Sequence, residues 1–138
     1  MLAVALLAGI AVALPNQPSV DELKARVQNA KPDERATLSL EIAERQVAAA
    51  DQLYRDGKPE EAEAAMKDVV TYSEQAGKTV SGRHMKNTEI AMRKMAHRLS
   101  DIKRSVAFEN QATVQSAIDS LEKIRTDLLN RMFGKGQK

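Results

Sequence analysis

This sequence predicts an all-α fold built from antiparallel helical hairpins, and three observations point to it. Apolar residues recur at steps of four and three over nearly the whole stretch from residue 33 to residue 132, the period of an amphipathic helix and not the alternation of a strand. Aromatic residues make up only 3% of the 138 residues and Trp is absent, a poor supply for sandwiches and barrels. Pro32, Gly57, Pro59 and Gly134 fall at the ends of the periodic runs, where helices start and stop. With 43% hydrophobic and 29% charged residues, the composition is that of one ordinary folded domain.

The chain opens with an unbroken run of Leu, Ala, Val, Ile and one Gly from Leu2 to Leu14. As a helix this run is about 20 Å long against a hydrocarbon core of about 30 Å, too short to span comfortably. Its length fits a signal-peptide h-region, and Ala11-Val12-Ala13 is an A-x-A cleavage pattern just before the polar stretch Pro15, Asn16, Gln17 and Pro18. No Lys or Arg precedes the run, so either the true start lies upstream or the segment is something else: an uncleaved anchor, or an apolar helix tucked into the core, since nothing polar marks a solvent face between residues 2 and 14. The expected organisation is a signal-like or anchor segment at 1–14, a linker at 15–19, a single helical domain at 20–133 and a basic tail at 134–138. The expected location is exported, either periplasmic or membrane-anchored.

A short helix from Val20 to Ala30 is predicted by Ser19 as N-cap, acidic Asp21 and Glu22 in the first turn, and Val20, Leu23 and Val27 on one side. Pro32 stops it. From Asp33 to Asp56, Ala36, Leu40, Ala43, Val47, Ala50 and Tyr54 keep helical register, and Leu38, Ile42, Ala49 and Leu53 widen the stripe. Gly57 can take the left-handed conformation that closes this helix, and Pro59 suits the first position of the next. Ala62, Met66, Val69, Ser73, Ala76 and Val80 then continue the stepping, so two antiparallel helices meet across a tight turn.

Residues 77–82 leave two readings open. Gly77 and Gly82 each cost about 1 kcal/mol relative to Ala in a helix, and Thr79 and Val80 are poor helix formers, which favours a break. Yet positions 80, 84 and 88 join the stripe to Thr88, Met92, Met95, Leu99, Ile102 and Val106 through a four-residue insertion, with no proline between. A break gives four main helices in a bundle. Continuity gives three, one of them a long kinked rod from 60 to 107. The last helix starts near Asn110 and carries Val114, Ala117, Leu121, Ile124, Leu128 and Met132 on its core face, ending at Gly134.

Around the predicted turn, Ala50, Leu53, Tyr54, Gly57, Lys58, Glu60, Glu61, Ala62, Met66 and Val69 resemble one tetratricopeptide unit, over about 25 residues. Small residues at the crossing and a glycine at the bend carry the resemblance, which implies a peptide-binding concavity. A shift of 34 residues from Gly57 lands on Ala91, where no turn signal exists, so the sequence shows no second copy.

The chemistry on offer is narrow. No cysteine is present, which excludes disulfides, thiolate metal sites, iron-sulfur clusters and cysteine nucleophiles in this chain. Ala76-Gly77-Lys78-Thr79 is like the end of a phosphate-binding loop, but Tyr72 occupies the position that loop needs as glycine. His84, Met85, Met92, Met95 and His97 fall within fourteen residues, a set that an exported protein could use for copper, and a periplasmic metal- or small-ligand-binding bundle is the alternative function. Met95 and His97, however, lie about 200° apart around a helix and cannot share one ion. No His-x-x-x-His or Glu-x-x-His pair supports zinc or di-iron, no catalytic triad order is present, and the carboxylates read as solvated. No enzyme activity and no cofactor are expected.

Charge supplies the sharper expectation. Residues 33–76 hold 5 Lys and Arg against 11 Asp and Glu, whereas residues 78–104 hold 8 against 2. Within the basic part, Lys86, Arg93, His97 and Arg104 line one side of a helix opposite the Met92 and Leu99 stripe, with Arg83, Lys94 and Arg98 beside them, and Lys86, Arg93, Arg98 and Arg104 are the strip expected to meet an anionic partner. Such a strip can bind an anionic lipid or polysaccharide surface, or neutralise the acidic hairpin of the same chain. Nucleic acid is not an expected partner, since no aromatic residue interleaves the strip for base stacking. The sequence reading is thus a non-enzymatic interaction or scaffold protein of a bacterial-type cell envelope, acting through charged helical faces on a protein partner or an anionic surface. Its oligomeric state is open.

Overall fold

The computed structural model describes residues 17–134. The apolar run at 2–14, its Ala-Val-Ala pattern and residues 135–138 of the tail lie outside the described residues. Among those described, 88% are helical and none is in a strand. The order is α1 (Val20–Asn29), α2 (Pro32–Arg55), α3 (Pro59–Thr79), α4 (His84–Ser105), α5 (Phe108–Leu129) and a π-helical turn at Asn130–Gly134. Five helices therefore replace the four or three main helices expected, because short α1 is a packed member of the fold.

The expected start and stop signals act as the chemistry dictates. Ser19 Oγ accepts from the Glu22 N–H at 3.1 Å, satisfying one of the free donors at the start of α1. Pro32 and Pro59 occupy the first turns of α2 and α3, where their missing N–H costs nothing. Between these helices, Gly57 has φ +73°, the Lys58 N–H donates to Leu53 O and the Gly57 N–H donates to Tyr54 O. This is a Schellman turn, which satisfies the last carbonyls of α2. The last helix begins at Phe108, two residues before the expected Asn110, and its final turn widens at Asn130 instead of holding α-helical register to Met132.

The rod is not formed. The break comes at Val80–Arg83, with Gly82 at φ +59°. Gly77 is not the breaker: it lies buried inside α3, and a Cβ there would sit 2.7 Å from Ile124 Cγ2. Its role is to let α5 approach closely.

The two hairpins α2/α3 and α4/α5 lie side by side, with α2 beside α4 and α3 beside α5. Ser81 Oγ lies 3.5 Å from Asp33 Oδ1 at one end and Arg98 reaches Asp51 at the other, so α2 and α4 run in the same direction. One core fills the space among these four helices and includes Val47, Met66, Val69, Met92, Leu99 and Leu121. A second, smaller cluster joins Leu23, Val27 and Ala30 of α1 to Leu38 and Ile42 of α2, which explains the widened stripe on that helix. Polar groups fix α1 as well: Lys24 Nζ lies 2.6 Å from Asp68 Oδ2 on α3 and 5.8 Å from the centre of the Tyr72 ring, and Gln46 donates to the same Asp68 oxygen.

Candidate functional site

The strip predicted on α4 divides into two parts. A helix turns 100° per residue, so Lys86, Arg93, His97 and Arg104 share a solvent face while Arg98 sits about 120° from Lys86. Lys86 and Arg93 are exposed and have no ion pair among the described residues. Arg104 is paired within its own helix, its Nη2 lying 2.9 Å from Asp101 Oδ1. Arg98 turns towards α2, where its Nη2 lies 3.8 Å from Asp51 Oδ2. The expected four-residue strip is thus an outward face of three cations, with the fourth spent on the acidic hairpin.

Arg98 belongs instead to the seam between α2 and α4. There a groove of about 340 Å³ has Val47, Ile90, Ala91 and Met95 among its apolar lining and Glu44, Asn87, Lys94 and Arg98 among its polar lining. Burial raises the pKa of Glu44 above its ordinary value, and the nearby negative charge of Glu41 raises it further, while Lys94 opposes the change. The acidic and basic segments of the sequence therefore meet along this seam, and part of the +6 charge of residues 78–104 is neutralised inside the molecule.

One charged pair escaped the sequence reading, which placed all carboxylates in solvent. Glu89 is only 6% exposed, and its Oε1 accepts from Arg125 Nε at 3.1 Å and Nη2 at 3.0 Å, joining α4 to α5. Arg125 also donates to Glu122 Oε2 at 2.7 Å. The available signal was an acid three residues before Met92 and a base four residues after Leu121, each bordering an apolar stripe. On the same flank Lys103 donates to Gln115, which donates to Asp119. This ladder closes the outer edge of the second hairpin with polar groups.

The Met and His set is not brought together. Met92 and Met95 are buried in the core, whereas His84 and His97 are exposed on α4. Among the described residues no group of three or more His, Cys, Asp or Glu is placed to hold a metal ion. No helix among them is long and apolar enough to cross a membrane. Compared with protein-family models, curated proteins and solved structures, the chain matches none.

Proposed function

We propose that this chain is a non-enzymatic interaction protein of the cell envelope that contacts an anionic surface through the outward face of α4. The observation that supports the reading is the unpaired exposure of Lys86 and Arg93, next to Arg98 and Arg104, whose charges are already answered by carboxylates. Cations without protein partners keep their full attraction for an external anion, up to the limit set by ionic strength. The envelope location rests on the apolar run at 2–14. The tetratricopeptide-like hairpin adds a protein ligand as a further partner class, supported by its small-residue crossing and Gly57 turn.

The test is the double variant Lys86→Glu with Arg93→Glu. It should abolish sedimentation with anionic vesicles and leave the melting temperature nearly unchanged, because exposed charges contribute only about 0 to 1 kcal/mol each to stability. Binding by the parent protein should weaken as salt rises, since the Debye length falls from about 10 Å at 0.1 M to 3 Å at 1 M. A large loss of stability in the double variant, with no vesicle binding by the parent, would instead assign these cations to the acidic hairpin.

A further inference from the structure

We infer that the anionic partner is a lipid bilayer, met by the Lys86 end of the α4 face, with Phe133 as the side chain that enters it; this rests on the anionic-surface reading above. One end of the molecule gathers the α1/α2 link, the α3/α4 break and the C-terminal π turn. Arg131 fixes that turn there, donating to Gly77 O at 2.5 Å and to Val80 O at 2.6 Å. Leu129 and Phe133, about one turn apart, lie at this end and are exposed by 37% and 69%.

Charge at this end is predominantly positive. Lys31, Lys78, Arg83 and Lys86 are exposed within about a turn of it. The acids at the same level are Asp33, Glu34 and Asp127, fewer than the cations. A groove between α3 and α5 below this end carries both signs, Lys78, Lys123 and Arg131 beside Glu74 and Asp127, so the excess of positive charge lies at the end itself.

The opposite end provides a control within the same chain. Phe108 is 87% exposed there, but Arg55, Lys58 and Arg104 are matched by Asp56, Glu60, Glu61 and Glu109. An aromatic ring alone gives little affinity for a charged bilayer; a ring where cations outnumber acids combines apolar insertion with attraction to headgroups. Two apolar side chains also cover far less than the roughly 1,000 Å² that a specific protein interface needs, so a bilayer fits this end better than a folded partner.

The chain has no Trp, so a single introduced Trp reports its own position alone. Phe133→Trp and Phe108→Trp would be compared on vesicles of phosphatidylglycerol and phosphatidylcholine, with dextran sulfate as a soluble polyanion. The expected result is a blue shift and brominated-lipid quenching for Trp at 133 and not at 108. Phe133→Ala should lower vesicle partitioning roughly tenfold while leaving dextran sulfate binding unchanged. Vesicle-bound protein with an unshifted Trp at 133, or equal shifts at both positions, would overturn insertion at this end. Binding to dextran sulfate without binding to vesicles would overturn the bilayer and leave the anionic reading standing. Binding to neither would remove both.

Discussion

The two hairpins solve the same packing problem with opposite materials. Where α2 crosses α3, Ala36, Ala43 and Ala50 recur every seven residues against Ala62, Val69 and Ala76, with Ser39 and Ser73 also fully buried. Where α4 crosses α5, the larger buried side chains are Met92, Met95, Leu99 and Ile102 against Val114, Ile118, Leu121, Ile124 and Leu128, with Ala96 and Ala117 among them. Side-chain size sets the distance between helix axes, so the first hairpin excludes volume and the second fills it. The serines confirm that size is what the first crossing uses: Ser39 Oγ and Ser73 Oγ are buried with no hydrogen-bond partner. A hydroxyl left unsatisfied is a cost that an alanine would not carry.

The largest expected effect comes from emptying the second hairpin. Leu121→Ala should lower stability by about 2 to 5 kcal/mol, the range for a fully buried leucine, measured by urea unfolding at equilibrium. A change within about 0.5 kcal/mol would mean that the α4/α5 core collapses around the gap and that the contrast with α2/α3 is false.

Overfilling the first hairpin comes next. Ala43→Leu and Ser73→Leu should each cost about 1 to 3 kcal/mol, since leucine adds three heavy atoms at the first and two at the second and both positions are fully buried. Ser73→Ala should do the reverse and raise stability by up to about 1 kcal/mol. If Ser73→Ala instead destabilises, the hydroxyl has a partner and the crossing is chosen for more than size.

The smallest effect concerns the seam that joins the hairpins. The folded-state pKa of Glu44 is raised, so the folded protein holds that proton more tightly than the unfolded chain does. Ionising Glu44 therefore weakens the fold as pH rises through its unfolded and folded pKa values, and the penalty vanishes below both. Glu44→Gln should raise the melting temperature slightly at pH 7, by at most about 1 kcal/mol in stability at so exposed a position, and lose that advantage in acid. A drop in stability at pH 7 would show that the attraction of Lys94 outweighs desolvation.

Helix ends were legible because capping chemistry is local: Ser19, Pro32, Gly57 and Pro59 act within a few residues of where they stand. The 77–82 segment was not, because its two glycines do different things. Gly82 turns the chain, while Gly77 answers to Ile124, 47 positions away in the sequence, a contact no window of residues can contain. The site divides in the same way. Lys86 and Arg93 read as solvent-facing from their place opposite the apolar stripe, but the pairing of Arg98 depends on α2 lying beside α4. Glu89 was hidden for the converse reason: its burial needs an arginine from another helix.

The break between α3 and α4 bears on how many chains make one fold. Val80 is buried, as is Thr88, and with His84 between them they keep the four-residue step that a continuous helix would use. Only Val80–Arg83, held by one left-handed glycine, sends the chain back across the bundle. Straightened, this segment would turn α3 and α4 into one rod and carry the second hairpin away from the first. Two such chains could exchange hairpins and rebuild the α2/α4 and α3/α5 contacts between copies, a domain swap whose hinge is Gly82.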